Sequence, residues 1–448
     1  MEIKLIQPRM SLRPMDSKFK RIMSPSIALL VLAALTPSEH QVVMEDENVK
    51  KINLNDHPDL VGITVNVDTS QRAYEIASYY RAKGIPVVLG GIHVSANPEE
   101  ALQYADSVCI GEAEDLWEKI LADAKNGQLQ KKYYSPYPTD LGKTPVPKWE
   151  ILNRRNYLYT NTVLTSRGCP FRCEFCYNSC DYVHKLFRHK PIENVIQEIE
   201  KLPTKQVMFI DDNFIGNVAW TRDFIRTIKP MGLKWHAAVS ANLVNYPKLI
   251  EEMRESGCQS LFIGFETINQ ESVQRVNKSQ NNVARYEELI ALLHQNEIMV
   301  NASLVFGFDE HGPDVFRDTL NWLVKNKIET MTAHILTPYP GTLLYKKLME
   351  QNRIIDFDTT HYNTSHVVFR PLKMTAEELY QGYLNIYKEF YSLPNIFKRL
   401  PESPNQRIPF LLFNLCYRKY GKGLSKLIPL NWMNSLGKTV RHISYGIE

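Results

Sequence analysis

The sequence predicts an α/β protein with two parallel sheets and a mainly helical C-terminal region. Three observations support this fold class. Apolar segments of strand length alternate with amphipathic segments of helix length along most of the chain. The repeat is short over the first 125 residues and longer from about residue 162. Beyond Thr375 the pattern is helical only, so both sheets are expected before that point.

Residues 1–127 are predicted to form a doubly wound parallel sheet. In this architecture ligands bind in the crevice at the carboxyl ends of the strands. The loops at those ends are small or polar, as expected of a ligand-facing edge. The predicted strands cover residues 3–7, 60–65, 86–89 and 107–110, and the helices between them cover 26–35, 69–83 and 98–105.

The rest of the chain divides into a linker, a barrel and a C-terminal region. Residues 128–160 are rich in Lys, Tyr and Pro without a periodic pattern, which predicts a surface linker. Residues 161–350 contain six strand–helix units, which predict a partial (βα)6 barrel of the TIM type with its chemistry at the strands' C-terminal ends. Residues 351–448 are predicted to form a substrate lid and helices. The barrel strands are predicted at 163–166, 206–210, 235–240, 260–265, 299–306 and 331–336.

Composition and charge narrow the class of protein. The 448 residues are 44% hydrophobic and 23% charged, which is typical of a folded globular chain. The net charge of +4 gives no reason to expect a nucleic-acid partner. The apolar run at 27–35 follows basic residues as a signal peptide does, but it starts late and is too short to span a bilayer. We read it as a buried helix, and we expect a cytoplasmic protein.

The cysteines point to a metal site. The chain has seven, an odd number that fits poorly with a disulfide framework, and four of them lie within a dozen positions. Cys169, Cys173 and Cys176 have the spacing C-x3-C-x2-C directly after a predicted barrel strand. Thiolates at this spacing can bind one iron–sulfur cluster from a single loop, and three ligands leave a fourth iron open. A zinc site completed by Cys180 or His184 is the alternative.

Residues from about 160 to 345 resemble the radical S-adenosylmethionine (SAM) superfamily, whose cysteine loop has this C-x3-C-x-aromatic-C pattern. The resemblance implies a [4Fe-4S] cluster held by the three cysteines and SAM bound at its open iron. It also implies that Phe175 or Tyr177 lies against the adenine. Polar or small residues at the strand ends are expected to hold the rest of SAM, although Asp and Asn there also cap helices. These candidates are Asp211, Asp212, Ser240, Asn242, Glu266 and Gly307.

Residues from about 1 to 125 resemble the cobalamin-binding domain that many radical SAM enzymes carry. The resemblance rests on the segments 89–95, 98–101 and 110–114. The motif D-x-H-x-x-G, whose histidine ligates cobalt, does not occur here, so we expect cobalamin without a lower protein ligand. A domain that only shapes the site is the alternative. The candidate contacts are Thr64, Asn66, Thr69, Ser70, Gly90, Gly91, His93, Gly111 and Glu112, with His93 expected to be structural or to contact the cofactor's tail.

The combined resemblance implies a cobalamin-dependent radical methyltransferase that cleaves SAM to a 5′-deoxyadenosyl radical and methylates an unactivated carbon of a small or lipidic metabolite. A cyclase or rearrangement enzyme is the alternative within the superfamily, and a non-catalytic cobalamin or redox sensor is the alternative outside it. The expected reductant is a flavodoxin or ferredoxin. The basic tail from Lys398 predicts either a solvated amphipathic helix or peripheral membrane contact.

Overall fold

The N-terminal part of the protein contains a six-stranded, fully parallel sheet. The structure is a computed structural model, and it describes residues 1–14, 16, 20–183 and 186–417. The strand order is β2-β1-β3-β4-β5-β6, which is doubly wound as predicted. The strands are β1 (Glu2–Gln7), β2 (Gln41–Asp46), β3 (Leu60–Thr64), β4 (Val87–Gly90), β5 (Ser107–Ile110) and β6 (Lys132–Tyr134). The helices are α1 (Ile27–Leu35), α2 (Ser70–Ala82), α3 (Ile92–Ala96), α4 (Pro98–Ala101) and α5 (Glu114–Lys125).

Two strands of this sheet, β2 and β6, were not predicted, and both lie at its edges. The strand β2 ends in two acidic residues, so it lacks the continuous apolar run of a central parallel strand. The strand β6 has three residues, of which only Tyr133 is buried. The predicted linker 128–160 therefore contributes the last strand of the first sheet.

The second sheet is also six-stranded and parallel, in the order β14-β13-β12-β11-β10-β7. Each strand pairs with the next one of the sheet along the chain, which is the order of the predicted (βα)6 partial barrel. The strands are β7 (Thr162–Val163), β10 (Gln206–Phe209), β11 (Lys234–Ser240), β12 (Cys258–Glu266), β13 (Met299–Phe306) and β14 (Thr330–Ile335). The helices are α6 (Ile192–Glu200), α7 (Val218–Ile228), α8 (Pro247–Glu255), α9 (Gln270–Arg275), α10 (Tyr286–Gln295), α11 (Val315–Lys325) and α12 (Leu343–Glu350).

The predicted strand 163–166 is divided between two sheets. Val163 pairs with β10, whereas β8 (Ser166–Arg167) turns away and pairs antiparallel with β9 (Arg188–His189). The cysteine loop lies between β8 and β9, so it leaves from a small two-stranded sheet next to the barrel.

The C-terminal region packs against the last barrel strand. It contains α13 (Ala376–Phe390), α14 (Leu393–Lys398) and α15 (Pro404–Tyr417). The hydroxyl groups of Tyr387 and Tyr391 each accept a backbone N–H of β14 and donate to a backbone carbonyl of the same strand, at 2.9–3.2 Å. These hydrogen bonds give partners to backbone groups on the outer edge of β14, the last strand of the sheet. Within the described residues, no helix has the length and apolar character needed to cross a membrane.

The first domain contacts the C-terminal region directly. Ser70 Oγ lies 2.8 Å from Thr359 Oγ1, and Gln71 donates to Asp358 at 2.8 Å. The guanidinium group of Arg13 donates to Thr364 at 3.0 Å. These contacts, together with those of the cysteine loop described below, place the strand ends of the first sheet next to the barrel.

Candidate active site

A cavity of about 320 Å³ lies between the strand ends of the first sheet and the cysteine loop. Its volume is at the lower end of the range of small-molecule sites. The first domain contributes Gly91, Ile92, Ser95, Gly111 and Glu112. The second part of the chain contributes Leu164, Ser166, Arg167, Gly168, Tyr177, Asn178, Tyr182, Val183, Arg188, Ile210 and Asp212. Residues that the sequence assigned to two different cofactors therefore line the same cavity.

The three cysteine thiols of the loop lie close enough to affect one another's ionisation. Burial raises the pKa of Cys169 and Cys173, and it raises the pKa of Cys176 to about 12. The charge of a neighbouring thiolate raises the pKa of Cys169 and Cys176 further. None of the three forms a disulfide. Burial and mutual repulsion both disfavour the thiolate forms of these cysteines. Bonds to the iron atoms of a cluster would stabilise the thiolates, so the three residues fit an iron–sulfur cluster.

Cys180 follows the three loop cysteines and packs next to Gly341. It is buried, and its Sγ packs 3.6 Å from the point where a side chain on Gly341 would begin. His184, the other candidate for a fourth zinc ligand, lies outside the described residues. In the part of the chain that the structure describes, no three His, Cys, Asp or Glu side chains are placed to hold a single metal ion. A cubane cluster has a different requirement, because each thiolate binds its own iron atom.

The two aspartates that follow β10 point in different directions. Asp211 is buried, and its Oδ1 accepts hydrogen bonds from the backbone and hydroxyl groups of Thr165 and Ser166 at 2.5–3.0 Å. Burial raises the pKa of Asp211 to about 6. Asp212 instead lines the cavity, and it accepts a hydrogen bond of 2.6 Å from the hydroxyl group of Tyr177. Asp211 thus holds the start of the cysteine loop, whereas Asp212 is available to a ligand.

Glu266 ends β12 in an unusual backbone conformation. Its φ is 64°, in the left-handed region that is uncommon for residues other than glycine. This conformation directs its carboxylate to Lys278, at 2.7 Å, and both side chains are about 10% exposed. Lys278 also acts on the cysteine loop, since its charge opposes the rise in the pKa of Cys169 and Cys173 that burial causes. No local pattern in the sequence marks Lys278.

Ser240 and Asn242 form a small polar group at the end of β11. Ser240 Oγ donates to Asn242 Oδ1 at 2.5 Å and accepts from Asn213 Nδ2 at 3.2 Å. Asn213 follows the two aspartates of β10, so the strand ends of β10 and β11 are joined at this point. Sequence reasoning did not select Asn213 as a site residue.

Phe175 and Gly307 are placed close to the C-terminal end of β13. The ring of Phe175 contacts the edge of Phe308, with the ring centroids 6.1 Å apart. Gly307 has a φ of 106°, and a side chain there would begin 2.9 Å from Leu379 and 3.2 Å from Phe369. The lack of a side chain at Gly307 therefore makes room for α13. The sequence did not suggest this role for the glycine.

The glycines of the first domain have different surroundings. Gly91 has φ 106° and ψ −178°, a conformation essentially restricted to glycine. A side chain there would begin 2.8 Å from the Val65 carbonyl oxygen, so it would strike the protein's own backbone before it met any ligand. Gly90 has ordinary contacts only, whereas Gly111, with φ 82°, lines the cavity opposite Tyr182.

Six of the nine predicted cobalamin contacts lie outside the cavity lining, namely Thr64, Asn66, Thr69, Ser70, Gly90 and His93. Thr69 Oγ1 accepts from the backbone N–H of Asn66, and Ser70 Oγ donates to the Val67 carbonyl, so both hydroxyl groups serve the start of α2. His93 is 1% exposed, with Nε2 3.5 Å from a carboxylate oxygen of Glu100, an ion-pair distance that is long for a hydrogen bond. Thr64, at the end of β3, is half-buried and also absent from the lining. Thr69, Ser70 and His93 therefore have structural contacts of their own.

An ion-pair network joins the first domain to the cysteine loop. Glu112 accepts two hydrogen bonds from Arg188, at 2.5 and 3.0 Å, and a third from the backbone N–H of Thr139 at 2.8 Å. Arg167, two residues before Cys169, pairs with Glu112 at 3.4 Å and with Glu114. Burial alone would raise the pKa of Glu112, but the two arginines outweigh it and lower the pKa to about 2.

Family models match three parts of the chain. The radical SAM superfamily matches residues 163–323, and the B12 binding domain matches residues 17–121. The chain carries a radical SAM domain and a B12-binding domain. A domain of unknown function matches residues 342–407, which cover α12 to α14. This radical SAM protein therefore uses a [4Fe-4S] cluster, SAM and cobalamin as its cofactors.

Relatives with similarity over most of their length are methyltransferases by name. The bacteriochlorophyllide d C-12(1)-methyltransferase of Chlorobaculum tepidum is 28% identical over 87% of this chain and 88% of its own. The C-8(2)-methyltransferase of the same organism is 29% identical over 88% of this chain and 91% of its own. An anaerobic magnesium-protoporphyrin IX monomethyl ester cyclase of Cereibacter sphaeroides is more distant, at 24% identity over 76% of this chain and 61% of its own.

Solved structures support the fold of this radical SAM protein. The radical SAM methyltransferase TsrM of Kitasatospora setae, with cobalamin and a [4Fe-4S] cluster bound, superposes with a TM-score of 0.69. The match covers 98% of this chain and 99% of TsrM at 15% identity, so it concerns the architecture. Both sheets and the helical C-terminal region are included in it.

Proposed function

We propose that this radical SAM protein is a cobalamin-dependent C-methyltransferase that transfers the methyl group of SAM to a carbon atom of a small-molecule substrate. The observation that carries the proposal is the cavity itself. Loops at the strand ends of the B12-binding domain and the loop that holds the cysteines line this one cavity, so two cofactors can meet there. The names of the two bacteriochlorophyllide methyltransferases point to the same reaction type.

In this proposal Cys169, Cys173 and Cys176 hold the cluster, and SAM lies on the side of Tyr177 and Asp212. When bound, the three cofactors supply the radical chemistry and the methyl group, while the protein binds and orients them. The hydrogen bond from Tyr177 fixes the Asp212 carboxylate toward the cavity. Glu266, Ser240 and Asn242 are proposed to complete the SAM site, as are Phe175 and the backbone at Gly307.

On the first domain, we assign cobalamin to the side of the cavity lined by Gly91, Gly111 and Glu112. The two glycines keep this wall free of side chains. Asn66 and Thr64 are proposed to contact the cofactor's tail at the end of β3. His93 is too deeply buried, in its contact with Glu100, to reach a ligand in this cavity, so we assign it a structural role.

The partners of the protein follow from the same reasoning. Radical SAM enzymes require a reductant, for which a flavodoxin or ferredoxin is the proposed class. A lipidic substrate and peripheral membrane contact through the basic tail remain proposals, and the tail from residue 418 onward lies outside the described residues. The cytoplasm remains the proposed location.

The decisive experiment follows the methyl group of SAM. Anaerobically reconstituted enzyme should be incubated with methyl-deuterated SAM, a reductant and an extract that contains the substrate. Methyl transfer should give one 5′-deoxyadenosine and one S-adenosylhomocysteine per product molecule, because the SAM molecule that is cleaved cannot also donate its methyl group. Mass spectrometry should find the label in the product. An unlabelled product formed without S-adenosylhomocysteine would instead support the cyclase alternative, whose relatives are more distant.

A further inference from the structure

A polar segment that follows α9 contacts the cysteine loop from outside the cavity. Residues 276–280 lie more than 100 positions from the loop in sequence, yet the backbone N–H of Glu174 donates to the carbonyl of Val276 at 3.0 Å. Asn277 donates to the carbonyl of Arg172 at 3.1 Å. These two contacts, on either side of Cys173, hold the segment against this cysteine.

The side chain of Gln280 reaches the sulfur atom of Cys173. Its Nε2 lies 3.7 Å from Sγ, within hydrogen-bond distance for a sulfur acceptor. A metal-bound thiolate has no proton to donate, so only the NH2 end of the amide can face it favourably. Among the described residues, the Oε1 of Gln280 is buried without a hydrogen-bond partner, and its amide NH2 group bonds to the sulfur.

Lys278 places a positive charge on the same side of the loop. Its side chain is 9% exposed, and its ammonium group pairs with Glu266 at 2.7 Å. The segment thus presents a hydrogen-bond donor, Gln280, to one sulfur atom and carries, two residues before Gln280, an ammonium group that is paired with a carboxylate.

Hydrogen bonds to cluster sulfurs and local charge are the levers by which a protein sets the potential of an iron–sulfur cluster. Reduction adds one negative charge, and donors or positive charges beside the sulfur stabilise it. We propose that Gln280, supported by Lys278, raises the reduction potential of the [4Fe-4S] cluster through its hydrogen bond to Cys173. Gln280 then acts on the reduction of the cluster through Cys173 and does not contact the substrate. The proposal rests on the assignment of Cys173 as a cluster ligand.

The test is an EPR-monitored redox titration of the reconstituted holoenzyme and of two variants. Gln280→Leu removes the donor, and we expect the equilibrium constant for reduction to fall about tenfold, which is about 59 mV for a one-electron couple. Gln280→Glu keeps the size of the side chain but presents an oxygen acceptor to the sulfur, so its potential should be lower still. Gln274→Leu is the matched control, because Gln274 is exposed on α9, and its potential should equal that of the wild type.

Iron content separates failure of this proposal from failure of the cluster assignment. If the Gln280 variants keep four irons per chain and titrate with the wild-type potential, Gln280 does not tune the cluster and the proposal is wrong. If Gln280→Leu lowers the potential but Gln280→Glu restores it, the effect is one of packing, and the proposal is also wrong. If the reduced wild-type protein gave no EPR signal of a [4Fe-4S] cluster, the cluster assignment itself would be wrong. If Gln280→Leu fails to fold, Gln280→Asn provides the same test, since its shorter amide cannot reach the sulfur.

Discussion

The two parallel sheets present their carboxyl ends to the same cavity, but their polar residues are used differently. In the first domain the hydroxyl groups of Thr69 and Ser70 are occupied by hydrogen bonds at the start of α2, and His93 is buried and does not line the cavity. In the barrel, Tyr177 and Asp212 are turned toward the cavity. A strand end therefore locates a site, whereas the existing hydrogen bonds of each residue decide whether it remains available to a ligand.

The largest effect is expected at the cysteine loop. A variant with Cys169, Cys173 and Cys176 all changed to Ala should lose its iron and all SAM cleavage, because a three-thiolate site has no substitute ligand. Iron analysis and 5′-deoxyadenosine formation measure both. Cys180→Ala is the control and should retain its cluster. Loss of iron in that control would mean that Cys180 is also a cluster ligand and that the site has four thiolates.

The next largest effect concerns Gly91. Gly91→Val should destabilise the first domain by about 4 kcal/mol, since it combines a glycine-only conformation with a collision against the Val65 backbone. Chemical denaturation without cobalamin measures this effect. Gly84→Val is the control, because Gly84 also has a positive φ but has nothing within 4 Å of the added carbon. A Gly91 variant of normal stability that lost only cobalamin affinity would show that this glycine serves the ligand instead.

A smaller effect is expected for the interdomain pair at Glu112. Because the folded-state pKa of Glu112 is lowered from about 4.5 to about 2, its contribution of about 3 kcal/mol is present above pH 4.5. It is lost as the pH falls through 2. Glu112→Gln should therefore be less stable than the wild type at pH 7, with the difference shrinking toward pH 2. Urea unfolding across that range measures it, and a difference independent of pH would exclude the ion pair as the cause.

The smallest effect is predicted for Ser70. Ser70→Ala should cost about 1 kcal/mol, because it removes the hydrogen bonds to Val67 and Thr359 from a fully buried hydroxyl group. Its cobalamin affinity, measured from the absorption spectrum, should match that of the wild type. Weaker cobalamin binding at unchanged stability would return Ser70 to the set of cofactor contacts.

The sequence predicted five of the six barrel strands well because each is an apolar segment with clear breaks around it, whereas the first, 163–166, is divided between two sheets. It missed β2 and β6, whose edge positions remove the continuous apolar pattern. Within the site, the cysteine spacing was informative because its ligands lie close together in sequence. Lys278 and Gln280 were missed because their contacts with the loop depend on chain folding over more than 100 residues. The different orientations of Asp211 and Asp212 also depend on three-dimensional contacts that no local pattern encodes.

The strand β6 determines where the B12-binding domain can be separated from the rest of the chain. A fragment that ended at residue 127 would expose the N–H and C=O groups of β5 that pair with β6, and such an edge invites pairing between molecules. The chain continues on the first domain after β6, since the backbone N–H of Leu158 donates to Ile22 and that of Tyr159 donates to Met23. A fragment that runs to residue 160 keeps these contacts. It should therefore stay monomeric at concentrations at which the shorter fragment aggregates.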